Sequence, residues 1–242
     1  MSKILGVIGG MGPAATVAFL ARVQALTPAD GDADHIRVVM DLNPQVPDRN
    51  TRPGEAEVVL GQMAEGLAAA GAEVIAMPCN TAHAQAGGIR DVCAAKGLRF
   101  IDMIAATADA AAASGFKRIG VLATPGGERL YTQALAARGV ETVLLEGADR
   151  EAFMALVYGV KRGDVGEAAR AGMLRLAQVL ADAGAHRLIA GCTEVPLLLR
   201  AEDAAAPLTD SAEVLAQACV KACVEACRVE ARLRLAPRVG PA

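Results

Sequence analysis

Short β-branched apolar runs alternate with longer Ala- and Leu-rich stretches of helical character along the whole 242-residue chain, and this alternation constrains the fold most strongly. Strands are expected over residues 4–8, 36–41, 73–77, 99–101, 118–123, 141–145 and 187–190, with helices filling most of the intervals. The second half echoes the first. Lys3-Ile4-Leu5-Gly6-Val7-Ile8-Gly9-Gly10 resembles Lys117-Arg118-Ile119-Gly120-Val121-Leu122-Ala123-Thr124 at an offset of 114 (117 − 3), and the strand ending at Cys79 returns before Cys192 at an offset of 113 (192 − 79). Two patterns at nearly one offset indicate duplication, although any repeated β-α architecture also yields similar strands.

The fold class expected is therefore α/β, with two similar doubly wound parallel-sheet domains and the active site in the cleft between them. Residues 1–103 plus 210–242 would form the first domain, carrying Cys79, and residues 104–209 the second, carrying Cys192. A helix from Ser211 to about Leu233, after a loop with Pro207, is expected to start at an Asp210 or Ser211 cap and pack back on the first domain. The tail from Ala236-Pro237 is expected to be loose.

Composition narrows the function. Hydrophobic residues make up 53% and charged residues 21%, enough for a sizeable core, yet aromatics are only 2% and Trp is absent, so Ala, Val, Leu and Ile must fill it. A net charge of −3 and no basic run interleaved with aromatics argue against a nucleic-acid partner. No stretch of about 18 uncharged apolar residues suggests a membrane span. Met1-Ser2-Lys3-Ile4-Leu5 does not open a secretion signal, so a cytoplasmic location is expected. Six cysteines in such a chain read as free thiols, and the scattered His35, His83 and His186 give a metal site no support.

The placement of two cysteines carries the chemistry. Pro78-Cys79-Asn80-Thr81-Ala82-His83 and Gly191-Cys192-Thr193-Glu194-Val195-Pro196 each put a cysteine where a strand turns into a helix, beside hydroxyl and amide donors. The helix dipole and free N–H groups there are expected to lower the thiol pKa. If a pseudo-twofold relates the halves, the thiols face each other across one cleft. Inverting a carbon centre needs a base on one face and an acid on the other, and two opposed thiols, one ionised and one protonated, meet that need in both directions. Asn80, Thr81, Thr193 and neighbouring amides would stabilise the developing negative charge.

Gly9-Gly10-Met11-Gly12-Pro13, Asn43-Pro44-Gln45-Val46-Pro47-Asp48-Arg49, Pro78-Cys79-Asn80-Thr81-Ala82-His83 and Gly191-Cys192-Thr193-Glu194 resemble motifs of the aspartate/glutamate racemase superfamily, on its aspartate racemase branch. The resemblance implies a two-domain α/β fold, no cofactor, a paired-thiol mechanism with Cys79 and Cys192 as catalytic residues, an amino-acid substrate and commonly a homodimer. The glutamate racemase branch typically has His where this sequence has Glu194. Met11, Arg49, Asn80, Thr81, Thr124, Lys161, Thr193 and Glu194 are the substrate-binding candidates. Arg49 offers a bidentate fork for a distal carboxylate, and Lys161 resembles the lysine that aspartate racemases use beside it. One segment departs from the pattern: Pro125-Gly126-Gly127-Glu128-Arg129-Leu130-Tyr131 is shortened, lacks the usual hydroxyls and is expected to bring the charges of Glu128 and Arg129 to the rim.

Other features have simpler readings. Gly10-Met11-Gly12-Pro13-Ala14-Ala15 loosely fits a dinucleotide fingerprint, but the glycines also suit close approach of a small substrate. Cys219, Cys223 and Cys227 fall on one face of the last helix and, like Cys93, read as small core residues. His83 is expected to support the Cys79 loop rather than transfer protons. The rival functions are another carbanion enzyme of this fold (a broad-specificity amino-acid or hydantoin racemase, or a maleate isomerase) and a non-catalytic ligand-binding module.

Overall fold

The computed structural model describes residues 2–49 and 51–235, with side chains described as far as residue 224. The tail beyond Leu235 and the side chain of Cys227 lie outside the described residues.

Eight strands form two four-stranded sheets: β1 (Leu5–Gly9), β2 (Val38–Leu42), β3 (Val74–Ala76) and β4 (Arg99–Ile101) in the first, β5 (Arg118–Leu122), β6 (Glu141–Leu144), β7 (Arg187–Ala190) and β8 (Leu208–Asp210) in the second. The helices are α1 (Pro13–Leu26), α2 (Pro53–Ala69), α3 (Gly87–Lys96), α4 (Met103–Ala112), α5 (Pro125–Ala136), α6 (Gly147–Lys161), α7 (Glu167–Asp182) and α8 (Ser211–Leu235). Seven strands lie where the apolar runs put them. β8 falls in the stretch around Pro207 that is expected to be loop, because three residues are too few to carry a period; it forms by pairing with β7, Leu188 opposite Leu208.

The sheets are wound alike, in the orders β2-β1-β3-β4 and β6-β5-β7-β8, with all pairs parallel. The sequence echo is also a register echo: Leu5 faces Val74 across β1 and β3, and Ile119 faces Arg187 across β5 and β7. Gly6 and Gly120 hold equivalent places, and a Cβ on either would come within 2.8 Å of a side chain packed on the sheet. Only glycine leaves room there for Ile75 and Leu188 of the neighbouring strands.

The inner strands of each sheet, β1 with β3 and β5 with β7, are buried between helices, while the edge strand β2 leaves Val38 and Met40 exposed. Few aromatics are available, so the core is aliphatic; Tyr131, Phe19 and Phe153 are the largest fully buried side chains. Pro13, Pro53 and Pro125 open α1, α2 and α5, where the missing N–H costs nothing.

Two elements join the lobes. In α4, Met103 packs into the first core and Ile104, Ala108 and Ala111 into one beneath β5. α8 leaves β8 in the second sheet, yet buries Leu215, Ala216 and Cys219 beside Leu5, Val7 and Phe19 of the first lobe. Of the two cap candidates Asp210 serves, its carboxylate accepting from the Ala212 N–H at 2.9 Å. Among the described residues no helix is long and apolar enough to cross a membrane.

Candidate active site

In both sheets the strand order reverses between the first and third strands, the place where doubly wound folds bind ligands beyond their strand ends. Cys79 follows β3 and Cys192 follows β7 at these equivalent points, each 6% exposed. The segments after the thiols differ from expectation. They are 3₁₀ turns, Thr81–Gln85 and Val195–Leu197, too short to build a useful dipole.

His83 fixes the first loop. The Met103 N–H donates to Nε2 at 3.1 Å, so Nε2 carries no proton and Nδ1–H donates to the Cys79 carbonyl at 2.9 Å. The imidazole is 3% exposed and stacks on Phe100. Its place is structural: it holds Cys79 to the start of α4.

The second loop is held differently. The Cys192 thiol donates to Glu194 Oε2 at 2.9 Å, and the Thr193 hydroxyl reaches the same oxygen at 3.4 Å. Glu194 is buried and leans across to the first lobe, where a Cβ on Gly12 would stand 2.8 Å from its Oε1. A carboxylate against Gly12 repels a pyrophosphate, which disfavours the dinucleotide reading of the Gly10–Ala15 run. The backbone geometry has its own cause, since Gly10 takes φ +97° and packs on the Asn43 backbone.

Beside the Cys192 loop, which reaches it through Glu194 and Leu197, lies a cleft of about 430 Å³ whose walls include Met11, Gly12, Arg49, Lys161 and Glu194 but neither cysteine. Among the described residues, Arg49 has a buried Nε without a hydrogen-bond partner and a 3.5 Å contact from Nη1 to the Pro47 carbonyl. Lys161 ends α6 with its ammonium 5.8 Å from the Tyr158 ring centre. Among the described residues neither cation forms an ion pair. Arg49 and Lys161 put two positive charges on the walls of the cleft, and the Glu194 carboxylate lines it as well.

Three donor candidates are already engaged. The Asn80 carboxamide donates to Ser211 Oγ at 3.1 Å and accepts from the Tyr131 hydroxyl at 2.6 Å. Thr81 and Thr124 share a 2.7 Å hydrogen bond across the lobes, and Thr124 also caps α5 by accepting from Gly127 N–H. These side chains brace the lobe interface. Glu128 also corrects the sequence reading: it is 5% exposed and paired with Arg150 at 3.0 Å instead of standing charged at the rim, while Arg129 is exposed.

Burial decides the thiol electrostatics and reverses the expected shift. Desolvation pushes Cys79 up, partly offset by the positive charge of Arg49, the Ala82 N–H and Lys161. Cys192 is pushed well above the usual thiol range by burial, by the Glu194 charge and by its hydrogen bond to Glu194. The pair is therefore unequal. Of the two thiols, Cys79 is the more readily ionised.

The sequence matches the model of the Asp/Glu/hydantoin racemase family over residues 8–219, which takes in both cysteine loops and every strand but the start of β1. The chain belongs to the Asp/Glu/hydantoin racemase family. Among solved structures of similar proteins, an aspartate racemase from Picrophilus torridus is 30% identical with a TM-score of 0.78, covering 91% of this chain and 94% of that one. An aspartate racemase homologue from Pyrococcus horikoshii (22% identical, TM-score 0.74, 91% and 98% covered) and a glutamate racemase from Francisella tularensis (19% identical, TM-score 0.70, 96% and 83% covered) share the fold.

Within this racemase-family chain, Tyr131 and Ser211 are the interface residues that sequence reasoning missed. Both are fully buried, and they sit on α5 and at the start of α8, far in sequence from either cysteine. The Tyr in the departing segment was the only available signal for Tyr131.

Proposed function

We propose that this chain is a cofactor-independent amino-acid racemase whose substrate is acidic, aspartate foremost and glutamate second. The observation that carries this reading is that Tyr131 links the loops of two buried cysteines, beside a cleft in which, among the described residues, Arg49 and Lys161 have no carboxylate partner. Their positive charge suits a distal carboxylate, and a side chain without that group would leave both cations uncompensated.

Cys79, as thiolate, takes the α-proton, breaking the Cα–H bond and leaving its electron pair on the substrate. Cys192 gives its thiol proton to the opposite face, so the carbon inverts and the enzyme ends with Cys79 protonated and Cys192 ionised. The enantiomer reacts by the reverse path. Arg49 and Lys161 favour the ionised state of Cys79, and Glu194 disfavours that of Cys192. Backbone amides around the two turns supply fixed donors to the developing enediolate.

A panel of single enantiomers (aspartate, glutamate, asparagine, alanine), together with a 5-substituted hydantoin and maleate, read by chiral chromatography, tests the assignment. Inversion of aspartate ahead of the neutral amino acids is expected. Turnover of maleate or the hydantoin alone would move the chain to another carbanion reaction, and no turnover of any member would leave a binding module.

A further inference from the structure

We propose that Tyr131 is a positioning residue that sets the spacing of the two thiols; this rests on the two-thiol reading above. One side chain touches the neighbours of both cysteines. The Tyr131 hydroxyl donates to Asn80 Oδ1 at 2.6 Å, next to Cys79. Its ring lies against the backbone before Cys192, where a Cβ on Gly191 would come within 2.9 Å of the ring edge.

A buried chain of bonds closes the circuit. The Asn80 carboxamide donates to Ser211 Oγ, which donates onward to the Ala190 carbonyl at 2.6 Å, two residues before Cys192. Tyr131 and Ser211 are 0% exposed and Asn80 2% exposed, so water cannot substitute for a lost partner. Burial also holds the phenol in its protonated form, so it remains a donor throughout.

The consequence follows from the mechanism. Inversion needs both thiols within reach of one carbon, whereas removal and return of a proton on one face needs only one. A loop that drifts by a fraction of an ångström penalises transfer across the carbon more than transfer on the near side. Loosening the brace should therefore separate inversion from exchange, which a general loss of stability would not do.

The experiment compares wild type and Tyr131→Phe, both checked for folding by circular dichroism and thermal melting. L-aspartate in deuterated water is followed for α-deuterium by NMR and for D-aspartate by chiral chromatography. Tyr131→Phe should lower kcat for inversion at least tenfold with little change in KM, and raise the ratio of deuterium exchange to inversion several-fold. Ser211→Ala cuts the same circuit and should give the same signature; it decides the matter if Tyr131→Phe does not fold. A folded variant with the wild-type rate and ratio overturns the positioning role alone. Wild type that neither exchanges nor inverts any amino acid overturns the proposed function, and this inference with it.

Discussion

The Cys192 thiol points its proton at Glu194 Oε2 over 2.9 Å, and among the described residues no carboxylate makes the same hydrogen bond with Cys79. This makes a fold-symmetric pair of thiols chemically unequal. When Cys79 acts as base, the acidic limb of the pH profile of kcat/KM reports Cys79 losing its proton and the alkaline limb reports Cys192 losing its own. Glu194 raises the Cys192 pKa, so Glu194→Gln should bring the alkaline limb to lower pH and narrow the bell from that side. Rates across pH decide it, and an unmoved alkaline limb would remove Glu194 from control of Cys192.

Arg49→Ala should cost about 1.5–3 kcal/mol of transition-state binding with aspartate, roughly 10- to 150-fold in kcat/KM, the scale of a lost charged hydrogen bond. The same change withdraws a charge that lowers the Cys79 pKa, so the acidic limb should move to higher pH. Steady-state kinetics over a pH series measures both effects.

His83 makes a stability prediction. Burial lowers its pKa below the ordinary 6.5, so in the folded chain it stays neutral where the unfolded chain takes up a proton. Its stabilising contribution is complete above about pH 6.5 and declines as pH falls from there toward the folded-state pKa. His83→Leu abolishes that pH dependence. It also strands the Met103 N–H and the Cys79 carbonyl, at about 2–4 kcal/mol for the two. Urea unfolding at pH 7.5 and 5.5 should show a smaller difference between pH values for the variant than for wild type.

Glu128→Ala should destabilise the chain by about 1–2 kcal/mol, less than a fully buried pair would cost because the Arg150 side chain is 40% exposed and can turn to water. The preference for aspartate over glutamate should be unchanged, because Glu128 fastens α5 to α6 and does not line the cleft. Urea titration and the ratio of kcat/KM values test the two statements.

The parts of the fold written locally were legible in the sequence. β-branched runs placed seven strands, and the offset between halves foretold a pairing register that repeats, Leu5 with Val74 and Ile119 with Arg187. β8 escaped because Leu208–Asp210 is made by its neighbour β7, not by a pattern of its own. The place of Cys79 and Cys192 at equivalent strand ends was legible, but the sign of the thiol shift was not. Desolvation is a tertiary quantity, and a Cys-Asn-Thr string says nothing of how deeply it is covered. Asn80, Thr81 and Thr124 read as donors for a ligand because sequence shows donors and not partners; the structure supplies Tyr131, Ser211 and the opposite threonine. Glu128 was misplaced for the same reason, its Arg150 partner lying on a different helix.

The central claim is inversion by thiols on opposite faces of one carbon, and the fate of the α-hydrogen in the first moments of turnover tests it. With L-aspartate in deuterated water, the D-aspartate first formed should carry one α-deuterium while the unreacted L-aspartate stays protiated. Deuterium entering the recovered L-aspartate as fast as it enters the product would contradict two opposed thiols and point to a single base working on one face.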